Sequence, residues 1–176
     1  MASEKSLYRK IQETLETTKS VDVSSIQELR EAIEKREPHV FQTSQYDAKR
    51  DEMTTRVSAR VIRQTVNMCS VLGLIDTSGS LTEAGREALR KNKYDEVLAE
   101  RVTALLRQQG VRVSALNQAI ARCLEARPPV LPTTRQIWSA AANGFPLGRF
   151  AKLLTLLAHC GYAKHSQQRL YLHVGR

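Results

Sequence analysis

Apolar residues recur every three or four positions through most of the chain, and this spacing gathers side chains on one face of an α-helix. In the first half the pattern predicts helices over residues 3–18, 25–36, 43–52, 55–72 and 82–92. Ser25 and Glu28 have the spacing of a capping box at the start of the second helix. Pro38 ends that helix, because proline disfavours the helical conformation of the residue before it.

The second half repeats this order. Helices are expected there over residues 94–109, 114–126, 135–142 and 146–160. Pro146 is expected at the first helical position, where its missing N–H costs nothing. In each half a glycine, Gly73 or Gly161, is expected to end the helix that precedes the hairpin. A short two-stranded hairpin is predicted after each glycine, over residues 74–81 and 162–173.

The two halves also resemble each other directly in sequence. The stretch VDVSSIQELREAIEKREPHVFQTS begins at Val21, and VRVSALNQAIARCLEARPPVLPTT begins ninety residues later at Val111. Six positions are identical in this register, and the same order of helices, proline break, glycine and hairpin surrounds them. Repetition at a nearly fixed offset indicates a duplicated structural unit. We therefore predict two domains, over residues 1–92 and 93–176.

Helix, short extended segment, helix, turn, helix and hairpin is the element order of the winged helix-turn-helix superfamily, and the chain resembles that superfamily twice. The stretch LGLIDTSGSLTEAGREAL is similar to the end of the third helix, the wing and the following helix in many bacterial winged-helix proteins. The resemblance implies a mainly α fold with small β-hairpins, built as two winged helix-turn-helix domains in tandem, each preceded by an extra helix. It also implies that the third helix of each domain enters the major groove of DNA while the wing touches the backbone or minor groove.

Basic residues are concentrated in the second half of the chain. The net charge is +9, and residues 101–176 carry 11 Lys and Arg against a single acidic residue, Glu125. Such a segment attracts a polyanion through its long-range field and through counterion release. Surfaces that serve only solubility usually intersperse both signs, so the bias favours a nucleic acid partner.

The predicted helix 55–72 separates an apolar side from a basic side. The side expected to face the core consists of Val57, Val61, Thr65, Met68 and Leu72. The opposite side carries three arginines and two amides, which are Arg56, Arg60, Arg63, Gln64 and Asn67. Arginine and amide side chains can make paired hydrogen bonds to base edges. An ordinary solvated helix face is the alternative interpretation.

The predicted helix 146–160 and the wing 162–173 offer a second set of candidates. The polar side of the helix carries Arg149, Lys152, Thr155 and His159. The wing adds Lys164, His165 and Arg169, and Arg135 lies near the start of the preceding helix. Cations on a wing suit contacts with phosphates, which position a protein on DNA without reading sequence.

These features predict a double-stranded DNA-binding protein that uses helices 55–72 and 146–160 and the wing 162–173. It would be a transcription regulator or the DNA-binding subunit of a larger defence or chromosome-associated complex. One alternative is a winged-helix subunit that binds proteins, because the first wing, DTSGS, has no basic residue and helix 25–36 is acidic. A partner or a second copy would then dock on helix 3–18 and the first domain. Another alternative is an RNA or single-strand binder, although aromatic residues for base stacking make up only 5% of the chain.

Motifs for catalysis or metal binding are missing from the sequence. There is no glycine-rich phosphate loop, no nucleophile elbow and no His-x-x-x-His motif. His159 and Cys160 fall on opposite sides of their helix, so we expect no metal site, no cofactor and no enzymatic activity. Three widely spaced cysteines suit reduced thiols, and no apolar run is long enough for a membrane span. We expect a cytoplasmic protein, nucleoid-associated if it is bacterial.

Overall fold

The computed structural model describes residues 6–128, 133–160, 163–166 and 169–172, and over these ranges the protein is mainly helical with small antiparallel hairpins. The chain divides into two compact units, and the boundary lies between Tyr94 and Asp95. The boundary predicted from the sequence lay between residues 92 and 93.

The first unit is built around a helix, α3, that packs against two earlier helices. Its elements in chain order are α1 (Leu7–Ser20), α2 (Ile26–Lys35), a 3₁₀ turn (His39–Phe41), β1 (Gln42–Asp47), β2 (Glu52–Val57), α3 (Ala59–Val71) and α4 (Glu83–Ala88). The apolar stripes that predicted the first two helices, including Ile11, Leu15, Leu29 and Ile33, are fully buried. Both predicted helices are present. α1 begins after its cap at Ser6 and ends at Ser20, later at both ends than the predicted helix 3–18, whose residues 3–5 lie outside the described ranges.

The start of α2 follows the capping signal in the sequence. The side-chain oxygen of Ser25 accepts a hydrogen bond from the amide of Glu28 at 3.1 Å. The Glu28 carboxylate accepts one from the amide of Ser24 at 2.9 Å, whereas a full capping box would use the amide of Ser25. The hydrogen bonds from the Ser24 amide and hydroxyl lower the pKa of Glu28.

The helix predicted over residues 43–52 is wrong, because this segment belongs to an antiparallel hairpin. β1 pairs with β2 in a register that runs from Gln42 opposite Val57 to Asp47 opposite Glu52. The turn between the strands is held by Asp47, whose carboxylate accepts from the amide of Lys49 at 2.9 Å, and by Asp51 at a φ of 50°. Thr43 and Tyr46 are of types that favour strands, and the segment has no apolar stripe for a helix to bury.

The helix predicted over residues 55–72 begins later than expected. Its N-cap is Ser58, whose side chain accepts from the amide of Val61, so α3 starts at Ala59 and Val57 belongs to β2. The expected inward arc is only partly right, because Val61 and Met68 are half-buried. The buried positions are Ile62, Thr65, Val66, Cys69 and Leu72. Because α3 contacts both α1 and α2, its buried side is rotated by about one residue from the predicted arc.

The segment after α3 forms a tight loop rather than the predicted hairpin over residues 74–81. Gly73 ends the helix with a φ of 71°, as expected for a left-handed C-cap. The strands are reduced to one isolated bridge between Ile75 and Leu81. The carboxylate of Asp76 explains this compact shape, because it accepts from the amides at positions 78 and 80. Thr82 then caps α4, which ends at Ala88 and is shorter than the predicted helix 82–92.

The second unit contains four helices and a hairpin among its described residues. Its elements are α5 (Tyr94–Gln108), which begins at the unit boundary, α6 (Val113–Glu125), α7 (Thr134–Ala141), α8 (Leu147–His159), β3 (Ala163–Ser166) and β4 (Arg169–Leu172). α7 packs between α6 and α8, and both strands of the hairpin contact α8. The four predicted helices of this half are confirmed within one or two residues. Gly161, predicted to end the last of them, lies outside the described residues.

Helix starts in the second unit follow local signals. Thr133 and Gln136 form a capping box at the start of α7. Pro146 is the N-cap of α8 rather than its first helical residue. The connection between α7 and α8 is held by the ring N–H of Trp138, which donates to the carbonyl of Phe145 at 2.6 Å. Phe150 and Leu153 on the inner side of α8 are fully buried.

The internal repeat holds for the first two helices and for the helices α3 and α8, and it fails in the segment between them. Both halves contain two helices followed later by a long helix. Between them, the first half has the hairpin β1–β2, whereas the second half has the helix α7. The predicted equivalence of residues 43–52 and 135–142 is therefore wrong.

Candidate nucleic-acid interface

α3 carries a continuous polar stripe on the side opposite its buried residues. Four of the five predicted residues are exposed on this helix, and they are Arg60, Arg63, Gln64 and Asn67. Their spacing of three or four positions places them on one side of the helix. The polar side of α3 is therefore where the sequence predicted it.

Arg56 is the exception, because it lies on β2 and not on the helix. Its Cα is opposite that of Thr43, whose hydroxyl donates to the Arg56 carbonyl at 3.4 Å. The side chain of Arg56 is exposed, two residues before the Ser58 cap. The prediction that it belongs to the helical stripe is wrong, because the helix begins after the strand ends.

Arg30 on α2 joins the stripe through a contact that the sequence analysis missed. Its Nη2 donates to Oδ1 of Asn67 at 2.9 Å. Because a guanidinium only donates, the atom it meets must be the amide oxygen, and the amide nitrogen of Asn67 keeps both of its N–H donors. Arg30 is next to the buried Leu29 on α2 and therefore lies at the edge of the buried side of that helix. This position was the feature of the sequence that could have indicated a contact with a neighbouring helix.

On α8, two of the four predicted residues are fully on the surface. Arg149 and Lys152 are exposed, whereas Thr155 and His159 are half-buried. The Thr155 hydroxyl donates to the carbonyl of Ala151 at 2.9 Å within the helix. The cationic part of the predicted surface is therefore accessible, and its C-terminal part is less so.

The remaining predicted residues lie on elements that pack against α8. Arg135 is exposed in the first turn of α7. In the hairpin, Lys164 is paired with Tyr171, His165 with Leu170 and Arg169 with Ser166. Residues 162, 167, 168 and 173 of the predicted wing lie outside the described residues. The topology thus brings the two hairpin strands and α7 beside the cationic helix.

The arginines and lysine of these two helices are not neutralised by neighbouring acids. Ion pairs in the described parts of the chain join Arg50 to Asp47 and Glu52, at 4.0 and 3.8 Å, and Arg90 to Glu87, at 2.7 Å. Within those same parts, no carboxylate lies within 4.0 Å of the cationic side chains on α3 and α8, which are Arg60, Arg63, Arg149 and Lys152. These four cations can therefore meet an external anion without breaking an internal pair.

The loop of residues 74–81, which follows α3, carries a negative charge, whereas the exposed sides of α3 and α8 carry positive charges. Hydrogen bonds from the Ser78 hydroxyl and the Ser80 amide lower the pKa of Asp76, so its carboxylate stays ionised. The predicted first wing therefore carries a negative charge at Asp76, and its stretch DTSGS contains no basic residue.

Groups for metal binding are not assembled in the described residues. No cluster of three or more His, Cys, Asp and Glu side chains with metal-binding geometry occurs among them. Cys69 and Cys160 are buried. Burial, and then the charge of Asp95, raises the pKa of Cys160 to about 12, which keeps this sulfur protonated and unreactive.

Comparison of the chain with protein-family models, with curated proteins and with solved structures gave no match. Among the helices of the described residues, none has the length and apolar character needed to cross a membrane.

Proposed function

We propose that the protein binds double-stranded DNA, as a transcription regulator or as the DNA-binding subunit of a larger complex, with a winged helix-turn-helix domain in the second unit and α3 as the contacting helix of the first unit. The observation that carries the proposal is that α3 and α8 each bury one side and expose cations that have no acidic neighbour in the described residues. A surface of this kind can exchange its counterions for phosphates.

Support is strongest for the second unit. The order α6, α7, α8 and hairpin is the order that the superfamily resemblance implies, and the hairpin packs against α8. Arg149 and Lys152 would contact phosphates or base edges from α8, and Arg135 would contact the flanking backbone from α7. In the first unit the hairpin β1–β2 interrupts the expected order of elements. Among the described elements of that unit, α3 is the one proposed to read bases.

The test is fluorescence anisotropy with labelled duplex DNA, single-stranded DNA and RNA over a range of salt concentrations. Replacement of Arg149 and Lys152 by Gln should weaken duplex binding and reduce the slope of log affinity against log salt by about 2, since each phosphate contact contributes about 0.9. The matched control replaces Arg107 and Arg112, two exposed arginines of the same unit outside α7, α8 and the hairpin. An equal effect in both variants would mean that binding follows net charge, which refutes the assignment of α8. Preference for RNA or single strands would favour the alternative class.

A protein-interaction role for the first unit is the second candidate, and one observation favours it. Tyr46 and Met53 are neighbours across the hairpin β1–β2, and they are 60% and 65% exposed. Exposed apolar pairs of this size are typical of contact sites when they belong to a larger patch. Sedimentation velocity over a wide concentration range tests self-association here. Association that Tyr46→Ser with Met53→Ser abolishes would support this role, and a monomer at every concentration would count against self-association.

A further inference from the structure

The first unit contains a cleft that is lined by none of the residues of the polar stripe on α3. Its volume is about 640 Å³, within the range of about 300–1,000 Å³ that is usual for small-molecule sites. The end of α1 and the segment after it form one wall, and the loop after α3 together with α4 and the residues that follow forms the other. The cleft is therefore a ligand-sized concavity made by four neighbouring segments of one unit.

The lining of the cleft combines an apolar interior with a positive rim. The apolar part comes from half-buried residues, which are Val21, Val23, Leu81 and Leu89. The charged part consists of Lys19, Arg86 and Arg90 with one acid, Asp22. Arg90 is already paired with Glu87 at 2.7 Å, so the charges offered to a ligand are those of Lys19 and Arg86. An apolar ligand that carries one negative group matches both features, whereas a cation or a fully polar sugar matches neither.

The guanidinium of Arg86 is positioned by a hydrogen bond to the wall of the cleft. Its Nη1 donates to the carbonyl of Leu81 at 2.8 Å, which fixes the guanidinium against one wall. A guanidinium has five N–H donors, so the bond to Leu81 leaves others for an anion. A carboxylate or phosphate can accept two of these in parallel. The charge of Arg86 also contributes, after the hydrogen bonds from Ser78 and Ser80, to the lowered pKa of Asp76.

The wall opposite α1 is built rigidly. Gly79 has a φ of 82°, and a Cβ at this position would lie 2.7 Å from the carbonyl oxygen of Ser25. Only glycine permits so close an approach of the loop to the start of α2. The carboxylate of Asp76 also ties the loop together through bonds to residues 78 and 80. A cleft that is already formed loses little entropy when a ligand binds.

We infer that this cleft binds a small organic anion with an apolar body and one carboxylate, sulfonate or phosphate group. The site is separate from the proposed DNA contacts, and the inference does not depend on them. A nucleic acid is the less suitable occupant, because half of the lining is apolar and a duplex is too wide for the volume.

The probe is 1-anilinonaphthalene-8-sulfonate, an apolar anion whose fluorescence rises on burial, and its uncharged partner is N-phenyl-1-naphthylamine. Titration of the full chain should give saturable binding of the anion. In ¹H–¹⁵N spectra the shifted amides should fall within residues 18–23, 79–81 and 86–90. Shifts centred on α3, α8 or the hairpins would overturn the inference.

Two variants and a control separate charge from shape. Lys19→Gln with Arg86→Gln should weaken binding of the anion by about 10-fold or more, because two charged contacts are lost, and should change binding of the neutral probe by less than about 2-fold. Ser80→Phe, which fills the cleft from an exposed position, should abolish binding of both probes. Lys35→Gln with Lys49→Gln, exposed lysines elsewhere in the unit, should leave both affinities unchanged. If this control weakened anion binding as much as the first variant does, the anion would be responding to net charge alone. If binding of the anion were unchanged in the first variant and in Ser80→Phe, the anion would bind outside the cleft.

Discussion

Gly85 should be the glycine whose replacement costs the first unit most stability. It is buried in α4, and a Cβ at this position would lie 2.1 Å from the carbonyl oxygen of Leu74, whereas ordinary van der Waals contact begins near 3.4 Å. That oxygen accepts a hydrogen bond from the amide of Thr82 at 3.1 Å, so the loop cannot move away without losing it.

The expected loss for Gly85→Ala follows from three contributions. Overpacking costs about 1–3 kcal/mol, and the weakened Thr82 bond costs about 1 kcal/mol more. Alanine returns about 1 kcal/mol through its helix propensity. The net expectation is a loss of about 1–3 kcal/mol. Gly148→Ala is the matched control, because Gly148 lies in α8 and nothing lies within 4 Å of its added Cβ. This control should gain about 0.5–1 kcal/mol.

Urea unfolding measured with two signals tests the comparison. Far-ultraviolet circular dichroism reports both units, whereas fluorescence of Trp138, the single tryptophan, reports the second unit. Gly85→Ala should lower the midpoint in circular dichroism and leave the Trp138 transition unchanged. A Gly85→Ala protein as stable as the parent would refute the steric argument, and so would a Gly148→Ala protein that loses stability.

Three further predictions concern acid stability, the α2–α3 contact and the thiols. Because the pKa of Asp76 is lowered on folding, its contribution is present above the ordinary aspartate pKa of 3.8 and is lost as pH falls through the lower folded pKa. Asp76→Asn should therefore flatten the fall in unfolding free energy below about pH 4 in urea titrations, and an unchanged pH profile would contradict this. Arg30→Met should cost about 0.5–1 kcal/mol of stability, because the exposed hydrogen bond from Arg30 to Asn67 is lost. If α3 reads bases, this variant should also alter the sequence preference found in a binding-site selection. Unaltered stability would count against the contact. Cys69 and Cys160, both buried, should not react with Ellman's reagent at pH 8 until the protein is unfolded, whereas release of all three thiols from the native protein would contradict their burial.

Three of the helix starts were predictable because their signals are local. Ser25, Thr82 and Thr133 each cap the helix that follows them, and each acts through an oxygen within three residues of its partner amide. The segment around Thr43 and Thr54 was not predictable in this way, because threonine is both a helix cap and a favourable strand residue. The choice depends on whether an apolar stripe follows directly. None follows Thr43, and after Thr54 the buried stripe of α3 starts only at Ile62, beyond the cap at Ser58. The false internal equivalence arose because the repeat was extended across this segment.

The exposed residues of the candidate interface were predicted better than the buried residues of the same helix, for a physical reason. An unpaired charge is far more costly to bury than an apolar residue is to leave half exposed. Arg60 and Arg63 therefore remain on the surface even though the inward arc was misplaced by about one residue. Arg56 was misplaced because its location depends on the pairing of β1 with β2, and Arg30 was missed because its partner is 37 positions away. The charge pattern thus determines which side chains meet solvent, while tertiary packing determines which of them stand side by side, and a binding surface needs both.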